Sequence, residues 1–138
     1  MGFVKRSIEV EEYLDSIGVV WCQLKDAEYR LVISELNTLS QSQNCIQLHG
    51  DEAFNSIERK TPINGFLFNA PGHKLFSVYD SATGIASYGY SVNNLASLNR
   101  EALNKIECVV TNKSLSFACS FNHEWQAMCP EVYIEKSV

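Results

Sequence analysis

Ile106–Phe121, IECVVTNKSLSFACSF, carries the clearest strand pattern in this chain. Leu115, Phe117, Cys119 and Phe121 alternate with Ser116, Ala118 and Ser120, and a period of two marks a strand with one buried face. Upstream, Ile106, Cys108 and Val110 alternate with Glu107, Val109 and Thr111, and Asn112-Lys113 makes the turn between the two runs. A hairpin over 106–121 brings Ile106, Cys108 and Val110 to the face that carries Leu115, Phe117, Cys119 and Phe121. Beyond it, Val132 and Ile134 resume the alternation after Pro130, which predicts a final strand over 131–135.

Working outward, Asn93 or Asn94 is expected to begin a helix with Leu95, Leu98 and Ala102 on one face, leading into the hairpin. Before that helix, Phe66–Phe68, Lys74–Asp80 and Ile85–Tyr90 read as strands. Ala70-Pro71-Gly72-His73 has the type II turn signature, and Ser81-Ala82-Thr83-Gly84 makes the second connection, so 66–90 reads as an antiparallel meander. The first half of the chain is helical. Ser7 caps a helix to about Ile17, stopped by Gly18, with Val10, Tyr13, Leu14 and Ile17 as its buried stripe. Val19–Leu24 is a short strand or a buried connection. Asp26 caps a second helix to about Leu39, with Tyr29, Val32, Ile33 and Leu36 inward. Cys45–His49 follows as a strand with Ile46 and Leu48 inward, then a helix over Asp51–Arg59 with Phe54 and Ile57 inward. The order predicts a single α+β domain over 1–138: an antiparallel sheet with helices packed on one face.

Composition narrows the function. The chain is 46% apolar, and its net charge of −5 opposes binding to nucleic acid or to anionic membrane, either of which needs a basic surface. No apolar run is long enough to span a bilayer, and the N-terminal residues lack the apolar core of a signal peptide. The five cysteines form no CxxC pair. The expectation is a cytoplasmic protein with reduced thiols and no cofactor.

Candidate chemistry is sparse. His123-Glu124 begins a zinc-protease motif, but position 127 is Ala where the second imidazole is required. Cys119, His123 and Cys129, with Cys108 across the hairpin, have the donor types for zinc, yet the spacing matches no structural zinc pattern and the alternation turns Cys108 and Cys119 into the core. A Cys108–Cys119 disulfide is open in one register only. Cys45 and His49 are the best nucleophile–base pair, but on a strand they stand about 13 Å apart. No metal site is expected. A Cys/His-dependent hydrolase is accordingly the weakest reading, and the chain is expected not to be an enzyme.

The acidic residues point to binding. Glu9, Glu11, Glu12 and Asp15 surround the stripe of the first helix, and Glu28 and Glu35 share a flank of the second. The dipole favours Glu9, Glu11 and Glu12 near the helix start, which leaves Asp15 without a reason. Either this is a solvated face, or it is a patch that docks a cationic partner.

The tail sharpens that second reading. Val109-Val110-Thr111 through Phe117, then Phe121-Asn122-His123-Glu124 with Pro130 six residues on, resembles the ending of small bacterial toxin-immunity proteins of contact-dependent growth inhibition. Asn122 stands where Thr is usual there, and Cys129-Pro130 where Gly-Pro is usual. The resemblance implies a cytosolic antidote that binds a cognate toxin domain, often a basic nuclease, and blocks or distorts its active site; the sequence leaves the oligomeric state open, with a monomer as the expectation. Glu9, Glu11, Glu12 and Asp15 are then the expected contact, with Glu28, Glu35 and Glu124 as further candidates. A small acidic secretion chaperone or adaptor is the alternative binding reading.

Overall fold

The computed structural model describes residues 5–69, 88–121 and 131–137. The expected turn at 70–73, the strand Lys74–Asp80, the loop 81–84, His123-Glu124 and Cys129-Pro130 lie outside them. In chain order the elements are α1 (Ile8–Ser16), β1 (Trp21–Gln23), α2 (Asp26–Ser40), β2 (Cys45–His49), α3 (Gly50–Glu58), β3 (Gly65–Asn69), β4 (Tyr88–Val92), α4 (Arg100–Ile106), β5 (Cys108–Asn112), β6 (Phe117–Phe121) and β7 (Val132–Lys136). The strands form one sheet of order β1-β4-β3-β5-β6-β7-β2, with every pair antiparallel. The protein is α+β with an antiparallel sheet, as the order of helices and strands along the chain predicts.

The hairpin sits near the middle of the sheet. Cys108 lies opposite Phe121, and Val110 opposite Cys119 on one side and Leu67 on the other. These residues share a face with Tyr88, Tyr90, Val92 and Tyr133, and Val10 and Leu14 of α1, Ala53 and Ile57 of α3 and Leu103 of α4 pack on it. The intervening residues Phe68, Val109, Ala118, Val132 and Ile134 turn to the opposite face and meet Tyr29, Val32, Ile33, Leu36 and Leu39 of α2. The described helices thus divide three to one between the faces of the sheet, α2 lying opposite the other three. The reason is visible in β5, where Val109 and Val110 are consecutive and apolar. A strand apolar on both faces needs cover on both.

Local chemistry sets the boundaries. Ser7 caps α1 by accepting from Val10 N–H at 3.4 Å, and Gly18 ends it at φ +75, where a side chain would be strained. The α2 cap falls one residue before Asp26: Lys25 is extended, and the Glu28 carboxylate accepts from its N–H at 3.4 Å. The last helix starts later than Asn93 or Asn94, because the Asn99 side chain, accepting from Ala102 N–H at 3.0 Å, is its cap. That helix runs through Ile106 and stops at Glu107 in the left-handed region, so Ile106 belongs to α4 and not to the hairpin.

At the hairpin turn, Asn112 Oδ1 accepts from the N–H groups of Ser116 at 3.0 Å and Phe117 at 3.3 Å. Leu115 is held there at φ 58 and packs on the α2 side, so β6 begins at Phe117. In β2, Ile46 is 47% exposed instead of inward, since the strand is at the sheet edge. Gly65 is required by close approach: a Cβ there would lie 1.9 Å from the Thr111 carbonyl oxygen across the β3–β5 ladder. Among the described residues no helix is long and apolar enough to cross a membrane.

Candidate functional site

The acidic helix α1 does not present its carboxylates as one set. Glu9 and Glu12 are exposed, and neither makes a hydrogen bond or ion pair with another described residue. Glu11 turns inward and is 7% exposed. Its carboxylate accepts from Arg6 Nε at 2.9 Å and Nη2 at 2.6 Å, and from the Tyr90 hydroxyl at 2.7 Å. Hydrogen bonding from Arg6, against the opposing effect of burial, holds the Glu11 carboxyl below its ordinary range. Burial, with the Glu11 charge adding to it, pushes the Tyr90 phenol up to about 12. The same hydroxyl accepts from Ser7 N–H at 2.7 Å. Glu11 therefore ties the start of α1 to the middle of β4 and is engaged inside the fold.

Asp15 acquires the reason the sequence leaves open. Its carboxylate accepts from Trp21 Nε1 at 2.8 Å, and Trp21 in turn packs edge-on against Tyr90 with ring centroids 5.4 Å apart. Asp15 remains exposed, so it orients β1 while keeping one side toward solvent.

Glu28 and Glu35 are exposed on α2, across the sheet from α1, so they do not extend its acidic face. Glu124 lies outside the described residues. Glu107, at the α4–β5 junction, acts on the same buried phenol as Glu9, that of Tyr88. The Tyr88 hydroxyl donates within reach of the Ile106 and Glu107 carbonyls, at 2.9 and 2.8 Å. Burial raises the Tyr88 phenol well above its ordinary range, and the carboxylates of Glu107 and Glu9 add to the effect. Glu9 and Glu107 thus bear on the same phenol from two elements. In the sequence Glu107 reads only as a polar position of the strand alternation, and nothing there shows that α1 lies alongside.

A second polar constellation lies at the other side of this face. Glu131, 3% exposed, accepts from Arg100 Nε at 3.1 Å and Nη2 at 2.5 Å, and from Asn104 Nδ2 at 2.9 Å. Arg100 also reaches Asp51 at 2.8 Å and lies over the Phe54 ring at 5.2 Å. Burial raises the Glu131 pKa, but the hydrogen bonds from Arg100 and Asn104 outweigh it and hold the carboxyl below its ordinary range. With its acceptor sites filled by fixed donors, this carboxylate locks α3 and α4 to β7 and is not poised to move a proton.

The thiols are placed against chemistry. Burial raises Cys108 and Cys119 far above the usual thiol range, and both are free. Their register sets Cys108 opposite Phe121 and Cys119 opposite Val110, which excludes a cross-strand disulfide between them. Cys45 and His49 lie on a strand, about 13 Å apart, too far for proton exchange. Among the described residues no group of three or more His, Cys, Asp or Glu is arranged to hold a metal ion.

Compared with protein-family models, with curated proteins and with solved structures, the chain matches none.

Proposed function

We propose that the protein is a binding inhibitor, most concretely an immunity protein that neutralises a cognate bacterial toxin domain in the cytoplasm. The observation that carries this reading is the outer face of α1. Glu9 and Glu12 stay exposed without an ion pair among the described residues, while Glu11 and Asp15 fasten the helix to β4 and β1 behind them. A rigidly seated helix presenting carboxylates loses little side-chain and backbone freedom on docking, and complementary charge speeds encounter with a basic partner. Carboxylates on such a face stand in for phosphate oxygens in a nuclease cleft. A cytosolic setting agrees with the free thiols at Cys22, Cys45, Cys108 and Cys119.

The test is co-expression with the product of the gene immediately upstream. A one-to-one complex that relieves toxicity is expected. The Glu9→Lys, Glu12→Lys variant should keep its fold and slow association by about tenfold to a hundredfold at low salt. A neighbouring gene product that is not toxic, or that the chain does not bind, removes the reading.

A further inference from the structure

The sheet ends in two unlike edges. β1 has three residues, and shortness alone limits what can pair with it. β2 has five, Cys45-Ile46-Gln47-Leu48-His49, and among the described residues it pairs only with β7. The ladder fixes where its backbone groups point. Ser137 N–H donates to the Asn44 carbonyl at 2.7 Å, and Gly50 N–H to the Glu131 carbonyl at 2.8 Å. Antiparallel pairs alternate, so Asn44, Ile46, Leu48 and Gly50 turn their peptide groups toward β7, while Cys45, Gln47 and His49 turn theirs outward. Edges of this length are normally blunted by Lys, Pro, an inward charge or a bulge. β2 has none of these residues, and its register with β7 is continuous. Beside the open edge Ile46 stands 47% exposed on the α3 side.

We propose that β2 is a homodimerisation edge, where two copies pair their β2 strands antiparallel about a two-fold axis at Gln47. In that register Gln47 faces the second copy's Gln47, Cys45 faces its His49, and Ile46 faces its Leu48. The pairs that face each other through outward peptide groups exchange two hydrogen bonds each, and the Ile46–Leu48 pairs cover the exposed apolar surface. Charge selects this occupant over a foreign strand. A chain of net charge −5 that recruits a different, basic segment does so with carboxylates, and β2 carries none. Self-pairing has the opposite requirement, since a charge near the axis meets its own kind. The connection before it, Gln41–Asn44, is neutral as well. β2 and β4, the strand to which Glu11 ties α1, lie far apart in the sheet order, so the dimer leaves Glu9 and Glu12 free.

Sedimentation over rising concentration tests this with the full chain. The native protein should pass from 15.5 kDa to twice that mass in the micromolar range. Gln47 is exposed, so Gln47→Lys leaves the protomer intact, with an unchanged thermal midpoint at concentrations where both proteins are monomeric, and places two ammonium groups opposite each other in the dimer. It should raise the dimer dissociation constant about tenfold or more, with partial recovery at high salt. Gln47→Val, apolar and β-branched, should tighten the dimer. A native chain that stays monomeric up to about 100 μM overturns the proposal. So does a dimer that both substitutions leave unchanged.

Discussion

Replacing Arg100 by Ala strikes the ion cluster that holds α3, α4 and β7 together. Glu131, 3% exposed, would lose two of its donors and keep Asn104 Nδ2 at 2.9 Å. Removing one partner of a buried pair costs about 3–5 kcal/mol, because the remaining charge stays desolvated. Here the Arg100 side chain is 34% exposed, so water enters part of the vacated space, and the expected loss is at the low end, about 3 kcal/mol. The Asp51 bridge adds little to this, since the Asp51 side chain is 87% exposed, and Asp51→Asn should cost about 0–1 kcal/mol.

The pH dependence carries a definite sign. In the native protein the Glu131 carboxyl is held below the ordinary 4.5, so its contribution is full above that value and is lost as pH falls through the folded pKa. In Arg100→Ala the main opposing partner is gone and burial raises that pKa, so acid protonates Glu131 and relieves the penalty. Urea melts of both proteins at neutral pH and near pH 4.5 measure the difference directly. The gap should be widest at neutral pH and should shrink in acid. Adding Glu131→Gln to Arg100→Ala should recover about half of the loss or more at neutral pH. A neutral-pH penalty below about 1 kcal/mol, or one that does not change with pH, would refute the buried-pair account.

Other expectations follow from single contacts. Tyr90→Phe removes the hydroxyl that donates to Glu11 and accepts from Ser7 N–H, and should cost about 1–3 kcal/mol by urea melt, with α1 exchanging its amide hydrogens faster. Gly65→Ala forces a Cβ to within 1.9 Å of the Thr111 carbonyl and must break the β3–β5 ladder, a loss above about 4 kcal/mol that should appear as insoluble or unfolded protein. Cys108 and Cys119 should resist a thiol reagent until denaturant is added, while exposed Cys22 reacts in the native state.

The hairpin was legible because strand alternation and its buried face are the same fact seen at two scales. Cys108, Val110, Cys119 and Phe121 fall on one face in the sequence and in the sheet. The α1 and α2 stripes were legible for the same reason at helical spacing. Three things were not. Leu115 continues the alternation on paper, but the Asn112 side chain captures the next N–H groups and throws Leu115 to the other face. The placement of α2 opposite the other helices depends on which strands are apolar on both sides, and the consecutive apolar residues Leu67-Phe68, Val109-Val110 and Val132-Tyr133-Ile134 are the local hints.

The third is the division of labour within the acidic run. Glu11 and Glu12 are adjacent and chemically identical, yet Glu11 meets Tyr90, 79 residues away, and Glu12 meets solvent. Periodicity assigns a face; it does not say which edge of that face a distant phenol will claim. Asp15 shows the converse, because a carboxylate poorly placed for the helix dipole is kept by a tertiary contact to Trp21.

Stopped-flow association with the upstream gene product, native chain against Glu9→Gln, Glu12→Gln, decides whether α1 docks a cationic protein through these two carboxylates. The variant should associate more slowly at low salt, with a gap that closes at high salt and with unchanged thermal stability of the free protein. Equal association rates at low salt would rule out docking through Glu9 and Glu12.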